Sequence, residues 1–206
     1  MPPVCTGEHR DEGIIAMSVI VLAFTTLDGI VEDPDGAAGT PRGGWMFSHG
    51  REVVAGDKFR LGRTLDEGVL LLGRRTWQHF AQLWPNRDDE FAARMNAAAK
   101  LVASGTLDDA DVTTWNNSRL LHGDLVEVVK QERRDVIVAG SLGVVERLAA
   151  ADLVDEYRLV TFPVLLGAGR RLFPAEGPQR ELECLQAEAD GPIVRSRFRR
   201  RAEAFA

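Results

Sequence analysis

Four places in the chain have residue types suited to chemistry. Each is an apolar run that stops on small or polar groups: Asp28-Gly29, Gly73, Ser104 and Gly140-Ser141. A strand that breaks on glycine and restarts as a helix presents free N–H groups and a partial positive charge, which suits an anionic phosphate. Glycine also lets the backbone approach closely, because no Cβ stands in the way. Gly140-Ser141-Leu142-Gly143 has these features. It lacks both the spacing of the dinucleotide fingerprint and the lysine of a triphosphate-binding loop, and it also reads as a tight strand-to-helix turn. Gly73-Arg74-Arg75-Thr76 adds two guanidinium groups and a hydroxyl at a second helix start. Arginine forks match phosphate geometry. Two such turns, one carrying extra positive charge, suit a dinucleotide with a third phosphate, as in NADPH.

These turns need a sheet to hold them. Residues 18–31, SVIVLAFTTLDGIV, read as a buried central strand and a turn, and the Gly- and Pro-punctuated residues 32–45 read as a long loop. FRLGRTLDEG reads as the second half of a helix starting near Ser48. Val69 to Leu72 form a strand, and Trp77, Phe80, Ala81 and Trp84 recur at the spacing of one helical face over Thr76 to Trp84. A short helix in DDEFAARMNAAAK and a strand ending at Ser104 follow. VTTWNNSRLL is a fourth strand or a polar edge, and GDLVEVVKQERR is an amphipathic helix. After the Val136 to Ala139 strand and its helix come a long strand over residues 157–167 and a hairpin around Asp190-Gly191. Strands and helices alternate and the chain finishes in strands. This order predicts one α/β domain over residues 17–206, with a mostly parallel sheet and an antiparallel end. Residues 1–16 read as an N-terminal extension with little to bury.

Bulk properties narrow the function. The 206 residues are 45% hydrophobic and carry a net charge of −6, which argues against nucleic-acid or membrane-surface partners. The basic run RSRFRRRAE reads as a solvated edge strand and a frayed tail. Two cysteines, Cys5 and Cys184, give no disulfide framework, so the expectation is a reducing, cytoplasmic setting. His9, His49, His79 and His122 show no metal-ligand spacing, and no Ser/His/Asp arrangement emerges.

TTLDG, LLLGRRTW, VASGTL, VIVAGSLGVVERLAAADLVDEYRL and FPVLLGAGRRLF occur in an order that resembles dihydrofolate-reductase-like proteins. The chain is most similar to the reductase domain of the riboflavin-biosynthesis deaminase/reductase and its stand-alone bacterial relatives, from about Ser18 to Phe198. The resemblance implies a three-layer fold: a central mixed, mostly parallel sheet with an antiparallel C-terminal strand and helices on both faces. It also implies NADPH as hydride donor and a homodimer. By the same resemblance, Gly73, Arg74, Arg75 and Thr76 hold the adenosine end with its 2′-phosphate. Ser104 and Thr106 sit beside the adenine ribose, and Gly140, Ser141, Leu142 and Gly143 lie under the pyrophosphate and nicotinamide. Gly105 departs from the pattern, standing where relatives often place a basic residue. The zinc signature of the deaminase is absent.

On the substrate side, the family keeps an acidic residue near the reacting centre, and Asp28 matches it; a turn carboxylate is the other reading. Asp57 precedes Gly73 by the spacing of the proton-relaying carboxylate of dihydrofolate reductases; otherwise it is an exposed helix residue. Trp45 either stacks over a flat heterocycle or anchors its loop. Phe162, beside Pro163, lines the pocket or belongs to the core. The expected activity is hydride transfer to a C=N or C=O bond of a small heterocycle or ribosylamino-pyrimidine. A flavin or deazaflavin in the same turns, and a non-catalytic nucleotide-binding module, are the alternatives.

Overall fold

The structure, a computed structural model, describes residues 17–177 and 179–201. The expected extension over residues 1–16 and the tail from residue 202 lie outside them.

Eight strands form one sheet: β1 (Val19–Thr26), β2 (Val69–Gly73), β3 (Ala99–Ala103), β4 (Ser118–Leu120), β5 (Val136–Ala139), β6 (Glu156–Phe162), β7 (Leu182–Asp190) and β8 (Ile193–Arg200). Their spatial order is β4-β3-β2-β5-β1-β6-β8-β7. The pairings from β4 through to β6 are parallel, and β8 runs antiparallel to both of its neighbours. Parallel strands need helical crossovers, and the helices cover both faces. On one face α1 (Arg63–Glu67), α2 (Arg74–Leu83) and α3 (Glu90–Ala97) bury Leu65, Trp77 and Met95 against Ile20, Leu22, Leu70, Leu72 and Ile137. On the other, α4 (Leu125–Gln131) and α5 (Leu142–Ala150) bury Leu125, Val129, Val144, Val145 and Leu148 against Val19, Val21, Leu71, Val136 and Val138. Strands buried on both faces are apolar without alternation, which is why Val69–Leu72 and Val136–Val138 are continuous apolar runs.

Several expectations are corrected. No helix starts near Ser48; two short 3-10 turns, Trp45–Phe47 and Arg51–Val54, precede the five-residue α1. Gly50, Gly56 and Gly62 all have positive φ and interrupt any longer helix. VTTWNNSRLL does hold the fourth strand, at a sheet edge, but it is only the three-residue β4, preceded by a 3-10 turn, Asp111–Thr114, and by Asn117 in the left-handed region at φ 61°. The strand expected over residues 157–167 ends at Phe162, where Pro163 has no N–H for a ladder. The basic run is not an edge: β8 lies between β6 and β7, and β7 is the edge strand at that end of the sheet.

The end of the sheet beyond β1 is built differently. One face of β6, β8 and β7 carries Glu156, Arg158, Arg195, Arg197, Glu188 and Asp190. Residues 45–60 cover it through Lys58–Asp190 (3.3 Å) and Arg60–Glu188 (2.6 Å) ion pairs. Glu156 and Arg158 are only 8% and 6% exposed and bond each other at 2.5 Å. Arg197 adds two bonds to Glu156, both 3.0 Å. The Arg158 guanidinium also donates to the carbonyls of Phe59 and Arg60, fastening that loop to the sheet.

Candidate functional site

The chain leaving β2 passes to β3 on one side, and the chain leaving β5 passes to β6 on the other, beyond β1. The helices that follow, α2 and α5, lie on opposite faces. β2 and β5 are hydrogen-bonded neighbours. Their carboxyl ends therefore form a topological switch point, the place where open α/β sheets leave a crevice. The two glycine turns stand on either side of it.

The turns are locked together. The Gly73 N–H donates to Ser141 Oγ at 2.8 Å, and the Ser141 N–H donates to Thr76 Oγ1 at 3.2 Å. Gly140 and Ser141 both take left-handed conformations, at φ 59° and 50°. A Cβ on Gly140 would come within 3.3 Å of Thr76 Cγ2, so glycine is what lets the two turns meet. The amides expected to be bare are thus only partly so: those of Gly73 and Ser141 are bonded to the opposite turn, and the Thr76 hydroxyl is engaged. The first turns of α2 and α5 have no side-chain cap; in α5 the Val144 N–H donates to the Ser141 carbonyl at 2.7 Å, and the Leu142 and Gly143 N–H groups keep their capacity for an anion. Gly143, in the first turn of α5, faces open space where a Cβ would stand. Arg74 and Arg75 are exposed and make no ion pair among the described residues.

Just past β3, the Ser104 hydroxyl accepts from the Thr106 and Leu107 N–H groups at 3.1 and 3.0 Å, shaping its own turn. Thr106 is exposed, and Gly105 has nothing within 4 Å of an added Cβ. This rim is open, one strand over from the Gly73 turn.

The two candidate carboxylates separate clearly. Asp28 Oδ1 accepts from Thr26 Oγ1 (2.5 Å) and the Leu166 N–H (3.3 Å), and Oδ2 accepts from the Gly167 N–H (2.7 Å). The Thr26 hydroxyl, followed by the Gly167 N–H, holds its pKa down at about 2. Asp28 thus ties the end of β1 to the segment after β6 with the contacts of a turn carboxylate. Asp57 accepts the Gly62 N–H on Oδ2 at 3.0 Å, while its Oδ1 is buried without a hydrogen-bond partner. Phe59, two residues on, packs against Phe24 in the carboxyl half of β1 at 5.0 Å between ring centroids.

Both aromatic candidates are buried. Trp45 is 5% exposed, donates its indole N–H to the Glu32 carbonyl (2.9 Å) and meets Phe162 edge-on at 5.5 Å. Phe162 is fully buried in the cluster with Val160 and Ile193. Trp45 anchors its loop, and Phe162 is core.

The sequence reading missed how the loop of residues 32–44 is organised. Its hub is Asp33, whose carboxylate accepts from the Ala38 N–H, the Thr40 N–H and the Thr40 hydroxyl, each at 2.8 Å. Burial works against ionisation of Asp33, but these bonds and the charge of His79 leave its pKa below the usual value. A Cβ on Gly43 would lie 2.1 Å from Asp33 Oδ2, so that glycine belongs to the hub. Asp35 then reaches His79 on α2 at 2.6 Å, bringing the loop against the helix that starts at the Arg pair. The dense Asp, Gly and Pro spacing marked a loop, but nothing local in it marked the partner on α2.

Among the described residues no three His, Cys, Asp or Glu side chains gather as a metal site, and no helix is long and apolar enough to cross a membrane. A broad surface concavity of about 450 Å³, bordered by Arg119, Glu132, Arg133 and Arg134, lies at the amino end of β5, away from the turns.

Comparison with known proteins gives a consistent picture. The family model for the RibD C-terminal domain matches residues 17–195. A Bacillus subtilis (strain 168) protein, YyaP, described as uncharacterized, is 27% identical over 114 residues. That stretch is 51% of this chain and 58% of YyaP, so the match spans little more than half of that relative. The crystal structure of a protein of Shewanella sp. PV-4 assigned to riboflavin biosynthesis superposes with a TM-score of 0.66 at 19% identity, covering 90% of this chain and all of that one. Acinetobacter baumannii RibD superposes at 0.58 with 16% identity, covering 91% of this chain and 59% of that one. The Thermotoga maritima diaminohydroxyphosphoribosylaminopyrimidine deaminase/5-amino-6-(5-phosphoribosylamino)uracil reductase superposes at 0.55 with 14% identity, covering 90% and 57%. These likenesses establish the dihydrofolate-reductase-like α/β fold.

Proposed function

The chain belongs to the RibD C-terminal domain family, a family of riboflavin-biosynthesis reductase domains, and from that premise we propose that it is an NADPH-dependent reductase. Its substrate is a small, flat heterocycle or a ribosylamino-pyrimidine, reduced at a C=N or C=O bond. The observation that carries this reading is the pair of interlocked glycine turns at the β2/β5 switch point, with two uncapped helix starts and a free arginine pair. NADPH fits these residues: the uncapped amides and guanidiniums complement its phosphates, and Gly143 and Gly105 leave room beside them.

When bound, NADPH supplies the hydride. The protein's own work is binding, orientation and exclusion of water. Arg74 and Arg75 hold the 2′-phosphate, Ser104 and Thr106 border the ribose, and the first turn of α5 with Gly140 holds the pyrophosphate. The Gly73–Ser141 and Ser141–Thr76 bonds fix the distance between the two phosphate grips. Asp57 Oδ1, buried and without a partner, is the carboxylate oxygen that meets an N–H or a proton of the substrate.

Calorimetric titration of the chain with NADPH and NADH tests the reading. Hydrogen bonds to charged groups are worth about 1.5–3 kcal/mol. Arg74→Ala or Arg75→Ala should therefore weaken NADPH about 10- to 100-fold and leave NADH nearly unchanged. Equal losses for both coenzymes would remove the 2′-phosphate from these arginines, and no binding of either would end the proposal. Asp57→Asn should leave the NADPH Kd as it is and lower kcat by about 100-fold or more with any reducible substrate. Unchanged turnover would relieve Asp57 of its role.

A further inference from the structure

The covered face of β6, β8 and β7 holds more positive charge than its carboxylates balance. A hollow of about 10 Å³ lies there between the sheet and residues 58–60, room for one small occupant. Five of the side chains around it are cationic, Lys58, Arg60, Arg158, Arg195 and Arg197, and the acid among them is Glu188. Glu156 and Asp190 stand next to it, so the face sets five cations against three carboxylates. Each carboxylate is already shared. Glu156 takes Arg158 and Arg197, Glu188 takes Arg60 and Arg195, and Asp190 takes Lys58, with Arg195 at 3.6 Å.

Donors are left over as a result. Arg195 Nε is buried without a hydrogen-bond acceptor, since 3.6 Å is too far for one. Arg158, 6% exposed, gives Nε to Glu156 and Nη1 to the Phe59 and Arg60 carbonyls; its Nη2 has no acceptor among the described residues. A buried guanidinium short of acceptors is costly, and a surplus of buried positive charge adds to that cost. Water in the hollow supplies an acceptor but no charge.

We propose that the hollow is a binding site for one small inorganic anion, chloride or another halide, held by Arg158, Arg195 and Lys58. The charge count sets the sign of the ligand. The size of the hollow restricts it to a single atom, which shuts out phosphate, sulfate and carboxylates. A halide accepts hydrogen bonds from any direction, which suits donors arriving from β6, β8 and the covering segment. Because Arg158 also bonds the Phe59 and Arg60 carbonyls, the anion helps fasten to the sheet the segment that carries Asp57.

Thermal unfolding of the full chain in sodium chloride and in sodium gluconate, matched in ionic strength from about 5 to 500 mM, tests this. Gluconate is too large to enter. At about ten times its Kd the halide should raise Tm by about 3–6 °C over gluconate. A crystal soaked in bromide should show an anomalous peak inside the hollow. Arg195→Met removes one cation and leaves every carboxylate a partner, so its Tm should be the same in both salts to within about 1 °C. Arg119→Met, on β4 at the other end of the sheet, should keep the full chloride response. Equal Tm values for the wild type in both salts overturn the inference: the occupant is then water, or bromide binds at crystal concentration only. A chloride response that Arg195→Met retains overturns it too, because the anion must bind elsewhere. If Arg195→Met fails to fold, the position of the bromide peak decides. None of these measurements uses coenzyme or substrate, so the outcome does not depend on the reductase reading.

Discussion

The sheet has two ends that solve burial in opposite ways. From β2 through β5 to β1 the strands are parallel, apolar along most of both faces and enclosed by helices, and the glycine turns meet at their carboxyl ends. From β6 to β7 one face is apolar and open, and the other is charged and covered, with Glu156 and Arg158 buried inside. The first end is held by area removed from water, which tolerates salt and pH and leaves its polar edge free for a ligand. The second is held by paired charges, whose cost of desolvation is offset only while each keeps its partner.

That difference is broken most severely at Glu156. Glu156→Ala leaves the Arg158 and Arg197 guanidiniums without their shared carboxylate, one of them 6% exposed. Removing one partner of a buried pair costs about 3–5 kcal/mol, so urea unfolding should show a loss of that size. Leu71→Ala, in the apolar end and fully buried, is the control; it should lose about 2–5 kcal/mol with no dependence on ionic strength. A loss below about 1 kcal/mol for Glu156→Ala would mean that the ion network decorates this end and does not hold it.

Acid should distinguish the two ends with a smaller effect. Burial opposes ionisation of Glu156, but the hydrogen bond from Arg197 and the charge of Arg158 leave its pKa below the usual range. Asp28, which ties β1 to the segment after β6, stands at about 2. A carboxyl depressed in the folded state contributes stability that is complete above its unfolded value, near 4, and is lost as pH falls through the folded one. Amide exchange, corrected for its intrinsic rate, should therefore show β6 and β8 losing protection between about pH 4 and 2 before β2 and β5 do. Simultaneous loss would place the acid-sensitive groups elsewhere, and Glu132, held at about 2 mainly by Arg134, would be the first to examine.

How much of this was legible follows the same division. Continuous runs such as Val69–Leu72 and Val136–Val138 announce doubly buried strands, and a glycine at a helix start announces a corner, because both signals are local. The corners' partners are not local. Gly73 and the Ser141 hydroxyl that takes its N–H are 68 residues apart, so no spacing rule could reveal that two of the exposed amides were already bonded. The same holds for Asp28, whose partners Leu166 and Gly167 come from beyond β6, and for His79, which meets Asp35 across 44 residues. Trp45 carried no sign of direction; a loop tryptophan serves as platform or anchor according to what lies beneath it, here Phe162. In β8 the alternation of arginine with Val194, Ser196 and Phe198 was visible. Which face would be covered depends on residues 45–60, which reach it from the far side of the sequence.

The smallest effect belongs to the corner and asks whether its two turns act as one. Ser141 holds a left-handed φ of 50° and accepts the Gly73 N–H. Ser141→Ala keeps the strained backbone and loses the bond, which costs about 1–2 kcal/mol once the unpaired amide is counted. Ser141→Gly loses the same bond but relaxes the backbone, so it should be milder than Ala by up to about 1 kcal/mol. Thr76→Ala removes the acceptor of the Ser141 N–H and should cost about 1 kcal/mol alone. If the turns form a single unit, the double variant Ser141→Ala/Thr76→Ala departs from the sum of the two by more than about 0.5 kcal/mol. Strict additivity would make them two independent helix starts that happen to touch, and the spacing of the phosphate grips would then have to be set by the strands β2 and β5 alone.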